Sequence, residues 1–327
     1  MRWNRVVLTG GAALGAAAAY NHLLTRDAAP LENPLPGDDE SFAWRGHRVA
    51  YTRVGDGPAL LLVHGIHPAA WSFEWRRAIT RLAARHTVYA PDLLGFGRSD
   101  RPAIRYTPRL YTALIADFAE QVIGTPCALV ATALSAAYAI LVGAQAPARF
   151  PALVLIGPTG GEPPRTGGPA LAGAARLAIE TPVVGTTLFN GLVSRPRLRR
   201  FLERSYADDS RVSEAMVSAY FSAAHQPGAR HAPAAFLTGH LDADVRQAVR
   251  RLTQPALLVW GARAVASPVE HAQAFLSLQP AFELTILPEA GDLPHDERPA
   301  EFADAALGFL AGAGWEAEAS TGSARGG

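Results

Sequence analysis

Ser135, Asp292 and His295 carry the groups that nucleophilic acyl transfer requires. A serine hydroxyl attacks a carbonyl, an imidazole takes its proton, and a carboxylate orients the imidazole. Ser135 falls in the stretch 127–137, which reads as a short apolar strand, a run of small residues and the first turn of a helix. A strand, tight turn and helix can lift the side chain at the turn over the end of a sheet. Two registers fit. One places Ala133 at the tip, and its methyl group has no lone pair with which to attack. The other lengthens the strand and places Ser135 there, with Ala133 and Ala137 as small flanks. In the first register Ser135 packs or caps the opening helical turn.

The rest of the chain must position this turn. With 327 residues and 49% hydrophobic content, it suits one large domain, or a core with an insertion. A net charge of +1 and a charged fraction of 18% supply no field for nucleic acid. All 30 basic residues are arginine, which is read as coding bias. The single cysteine, Cys127, has no intrachain partner and sits in an apolar strand pattern, as a packed core thiol does. No metal-ligand spacing and no glycine-rich phosphate loop occurs, so neither a metal nor a cofactor is expected.

Residues 1–25 combine a basic start with an apolar, alanine-rich run, which fits a signal peptide or a membrane anchor. Export or membrane association through this N-terminus is therefore expected, with a helix lying on a cytoplasmic domain as the other reading. Residues 26–41 read as a linker. An antiparallel hairpin is expected over 42–54, then a buried strand at 59–63, and a helix capped by Ser72 that runs to about residue 84. Strands at 87–90, 152–156, 256–261 and 283–287, with the one that opens at Cys127, alternate with helices, the rhythm of a parallel, doubly wound α/β sheet. Residues 159–252 break that rhythm with proline, glycine and helical patterns, as a helical lid would. The core is thus 42–158 and 253–310, and the tail 311–327 is expected to be disordered.

Several motifs occur in one order. They are His64-Gly65 after a strand, Pro91-Asp92 with the run 95–100, the turn near Ala133, Trp260-Gly261, and the run 291–299. Together they resemble the α/β-hydrolase fold superfamily, in its branch with a helical cap after the sixth strand, over about 42–310. The resemblance implies a mostly parallel sheet, a nucleophile on the turn, an acid after Trp260-Gly261 and a histidine after Gly291. It also supplies two anchors for the turn, Pro126 at the strand start and Pro147 about four helical turns beyond, and both choose Ala133. The acid position then holds Ala264 and the base position Asp292. His295 occupies the place of a second, non-catalytic histidine in relatives, and Asp92 that of a structural residue.

Three altered positions argue against a standard serine hydrolase. The resemblance still implies a backbone oxyanion hole at the Ile66 and Leu134 amides, with His64, Gly65, His67, Trp71 and Ala133 around a pocket for a small apolar, carbonyl-containing molecule. The expectation is a pseudoenzyme or non-standard hydrolase of small apolar esters. The alternatives are an active ester or amide hydrolase using Ser135 and His295, with Asp292 as acid, and a non-hydrolytic lyase-type enzyme.

Overall fold

The alternating residues of the buried strands separate onto two faces, and that separation builds two cores. In the computed structural model, which describes residues 2–162, 173, 177–179 and 181–315, the strands are β1 (Asp38–Trp44), β2 (His47–Val54), β3 (Ala59–Val63), β4 (Thr87–Pro91), β5 (Ala128–Thr132), β6 (Leu153–Ile156), β7 (Ala256–Gly261) and β8 (Glu283–Leu287). They form one sheet in the order β1-β2-β4-β3-β5-β6-β7-β8. β1, β2 and β4 pair antiparallel, and every other pair is parallel. Every residue of β3, β5, β6 and β7 is buried, as expected of strands covered on both faces. Leu61, Val63, Leu129 and Ala131 join one core, while Leu60, Leu62, Ala128 and Val130 join the other.

Helices cover both faces. They are α1 (Arg2–Asp27), α2 (Ile79–Ala83), α3 (Pro108–Phe118), α4 (Ala133–Gln145), α5 (Val184–Leu192), α6 (Arg195–Ser205), α7 (Glu214–Ala224), α8 (His231–Leu237), α9 (Arg246–Arg251), α10 (Ala272–Leu278), α11 (Pro294–Glu297) and α12 (Pro299–Gly312). Helices α5 to α9 lie between β6 and β7 in the chain, where the lid was expected. A third apolar cluster ties α5, α6 and α7 to Ala69 and Trp71 of the loop after β3. The expected lid residues 163–172, 174–176 and 180 lie outside the described residues.

Several boundaries differ from expectation. Residues 38–41, expected as linker, belong to β1 and pair with β2. Ser72 caps nothing: its hydroxyl is buried without a partner, and its amide donates to Asp92 Oδ1 at 2.8 Å. A 3₁₀ turn (Ser72–Trp75) replaces the start of the expected helix. The expected disordered tail begins too early, because α12 runs to Gly312 and the Trp315 indole donates to the Ala59 carbonyl. Residues 316–327 lie outside the described residues. Asn21 of α1 donates to the Val183 carbonyl and to Thr187 Oγ1 of α5, each at 3.0 Å. Among the described residues no helix is long and apolar enough to cross a membrane, so a spanning anchor finds no support.

Candidate active site

β5 ends at Thr132 and α4 starts at Ala133, whose φ of 48° lies in the left-handed region. For a residue with a Cβ that conformation costs on the order of 1 kcal/mol. The strain marks the sharp strand-to-helix turn, and its tip is a methyl group. Ser135 therefore lies in the first turn of α4 rather than over the sheet. It is fully buried, and its hydroxyl donates to the His64 carbonyl at 2.6 Å. The register that would make Ser135 the nucleophile is not the one adopted.

Ala264 and Asp292 lie on adjoining loops after β7 and β8. The half-buried Asp292 carboxylate accepts from the Val265 and Ala266 amides, both at 2.9 Å, and the Asp292 amide donates to the Ser205 carbonyl of α6 at 2.7 Å. Burial raises its pKa above the usual carboxylate range, against the pull of these amides. Asp292 thus ties the two loops to the lid. The loops can approach because Gly261 has no side chain; a Cβ there would fall 2.0 Å from the Gly291 carbonyl.

His295 does not complete a triad. Its ring packs on Trp75 and Phe302, it is fully buried, and neither ring nitrogen has a hydrogen-bond partner. Its Nε2 lies 3.7 Å from Glu74 Oε1. No hydrogen bond or ion pair among the described residues joins it to Ser135 or Asp292, whose partners lie elsewhere. Sequence reasoning missed Glu74, which lies between Phe73 and Trp75 in the 3₁₀ turn after β3. Its Oε1 accepts from the Gly65 amide at 2.9 Å and from Thr132 Oγ1 at 2.8 Å, directly behind the turn. Burial pushes the Glu74 pKa up to about 8 and that of His295 down to about 3. Both groups are therefore neutral at pH 7, and the short separation is not an ion pair. The neighbouring Asp296 accepts from Arg76 at 2.8 Å and from the Tyr206 hydroxyl.

Ile66, expected with Leu134 to supply an oxyanion hole, lies in the loop after β3, and Leu134 is the second residue of α4. No hydrogen bond from the Ile66 or Leu134 amide is present among the described residues. His64 Nε2 accepts from the Leu93 amide at 2.9 Å, so its Nδ1–H donates to the Gly65 carbonyl at 2.7 Å, and the ring serves as a staple. The lid closes over this loop: the His67 ring meets Phe201 of α6 and Tyr220 of α7 at 5.2 and 5.7 Å, while Trp71 stacks on Phe73 at 5.4 Å. Burial pushes the His67 pKa down to about 3. A cavity of about 380 Å³ opens beside the lid, lined by Phe201, Ser205, Val265, Ala266 and Asp292 with three α6 arginines. A second, of about 450 Å³, lies between the end of β6 and the loop after β7. Among the described residues no histidine, cysteine or carboxylate cluster could hold a metal.

Known proteins are similar to this chain in sequence and fold. A hydrolase of 2-hydroxy-6-oxo-6-(2'-aminophenyl)hexa-2,4-dienoic acid from Metapseudomonas resinovorans is 27% identical over 81% of this chain and 88% of its own. An uncharacterised protein of Mycobacterium tuberculosis is 25% identical over 87% and 84%. The crystal structure of a serine hydrolase involved in carbazole degradation superposes with a TM-score of 0.70 at 26% identity, covering 84% of this chain and 98% of that one. The model of the alpha/beta hydrolase family matches residues 60–305. With its eight-stranded, mostly parallel sheet and the helices inserted after the sixth strand, this chain belongs to the alpha/beta hydrolase family.

Proposed function

We propose that this chain is a ligand-binding member of the family that has lost serine-hydrolase chemistry. The observation that carries the reading is Ala133 at the left-handed tip between β5 and α4. A methyl group there cannot form an acyl-enzyme intermediate. Two further observations support it. Asp292, at the base position, is held by the Val265 and Ala266 amides and by Ser205, and Ser135 is buried with its hydroxyl committed to His64. Relatives named above are hydrolases, and this reading departs from their activity.

The ligand is a small, largely apolar molecule carrying a carbonyl. Its oxygen would meet the Ile66 and Leu134 amides, and its body would displace the Phe201 and Tyr220 rings that close over His67. Thermal melting with a panel of aryl ketones, esters and keto acids tests this. A ligand at a hundred times its Kd adds about 2.7 kcal/mol of stability, which raises the melting temperature by several degrees. Turnover of an ester in the panel, with a rate first-order in protein, would instead establish the divergent hydrolase.

A further inference from the structure

We infer that the face formed by α1, α5 and α6 docks this protein onto the surface of an anionic lipid bilayer. The α6 part of this face borders the cavity beside the lid. Of the large apolar side chains exposed among the described residues, all but Leu237, Val265 and Ile286 lie on α1, α5 or α6 or at Leu177. On α5 they form a stripe at helical spacing: Val184, Leu188 and Leu192 are 44%, 51% and 45% exposed. The opposite side of α5 buries Gly185, Phe189 and Asn190, and α1 packs alongside through Asn21. Exposed apolar side chains gathered on connected helices in this way mark a surface that something covers.

The adjoining charge identifies the occupant. Arg197 donates to the Gly191 carbonyl at the end of α5, at 2.9 Å, so its guanidinium borders Leu192. Arg197, Arg200 and Arg204 lie with Phe201 along one exposed side of α6, at the mouth of the cavity that also holds Asp292, and none of the three forms an ion pair among the described residues. The opposite side of α6, Leu198 and Leu202, is buried. Leucines and a phenylalanine bordered by unpaired arginines match an interface in which acyl chains lie beside anionic headgroups. Guanidinium groups suit such headgroups because they pair with phosphate oxygens two at a time. A second copy of this chain would leave the same arginines facing one another. Among the described residues no helix can span the bilayer, so the contact lies in the plane of the interface.

Co-sedimentation of the full chain with vesicles tests the inference. One set contains phosphatidylcholine alone, the other phosphatidylcholine mixed with phosphatidylglycerol. Binding is expected only to the mixed vesicles and should weaken as salt rises. Each of Arg197→Ser, Arg200→Ser and Arg204→Ser should weaken it about fivefold. Leu188→Ser with Leu192→Ser should abolish it, whereas Leu237→Ser, an exposed leucine on α8, should have no effect. All these side chains are exposed or bordered by solvent, so melting temperatures should stay unchanged, and a variant that melts early is replaced by the matching alanine variant. Binding that survives the double leucine variant, equal binding to both vesicle sets, or self-association of the chain without vesicle binding would overturn the inference.

Discussion

The Ser135 hydroxyl donates to the carbonyl of His64 across the gap between α4 and the end of β3. This bond fixes the start of α4 to the loop whose next amides belong to Gly65 and Ile66. It makes Ser135 a structural residue of the turn, so Ser135→Ala should leave the His64 carbonyl unpaired and cost about 1–2 kcal/mol. Urea unfolding measures it, and a variant as stable as the parent would contradict the role.

The left-handed backbone of Ala133 makes a contrast within one helix. Ala133→Gly relieves about 1 kcal/mol of strain and gives back a similar amount through the greater freedom of the unfolded chain. Its net effect should be close to zero. Ala139→Gly, in the buried middle of α4, should cost about 1 kcal/mol or more. Equal losses for the two would show that the turn is not strained.

Glu74 and His295 give stability pH dependences of opposite sign, which offset each other between about pH 4.5 and 6.5 and leave the Glu74 slope alone from about pH 6.5 to 8. The folded-state pKa of Glu74 is raised from 4.5 to about 8. Between those values the unfolded chain releases a proton that the folded chain keeps, so stability falls as pH rises, by about 1.4 kcal/mol per unit. His295 is lowered from 6.5 to about 3, so its contribution is present above pH 6.5 and is lost as pH falls below it. Glu74→Gln preserves an acceptor for Gly65 and Thr132 and should remove the fall in stability between about pH 6.5 and 8 and steepen the net rise below pH 6.5. His295→Phe, between Trp75 and Phe302, should lessen the acid side, where His67 also contributes. Denaturant melts across pH measure both slopes, and parallel profiles for parent and Glu74→Gln would contradict the assignment.

The sheet was legible because continuous apolar runs such as 59–63 and 128–132 admit one reading when they alternate with helices. The turn at Ala133 was legible as one of two registers. Only the strand end at Thr132 separates them, since a slip of two residues preserves which strand side chains face which core. The role of Glu74 was hidden, because its partners Gly65 and Thr132 and its neighbour His295 come from three separate parts of the chain. The N-terminal run was ambiguous for another reason. Alanine-rich sequence suits a signal peptide and a surface helix alike, and Asn21, which interrupts an apolar span, is the residue that hydrogen-bonds to α5. The tail misled in the opposite direction, for a lone Trp315 was enough to pin residues that look featureless.

The loss of serine chemistry is tested most directly by treating the folded protein with a fluorophosphonate and mapping any adduct by mass spectrometry. No serine adduct is expected, because Ala133 holds the tip and Ser135 is buried behind it. A stoichiometric adduct on Ser135 that is lost on denaturing the protein beforehand would contradict the account.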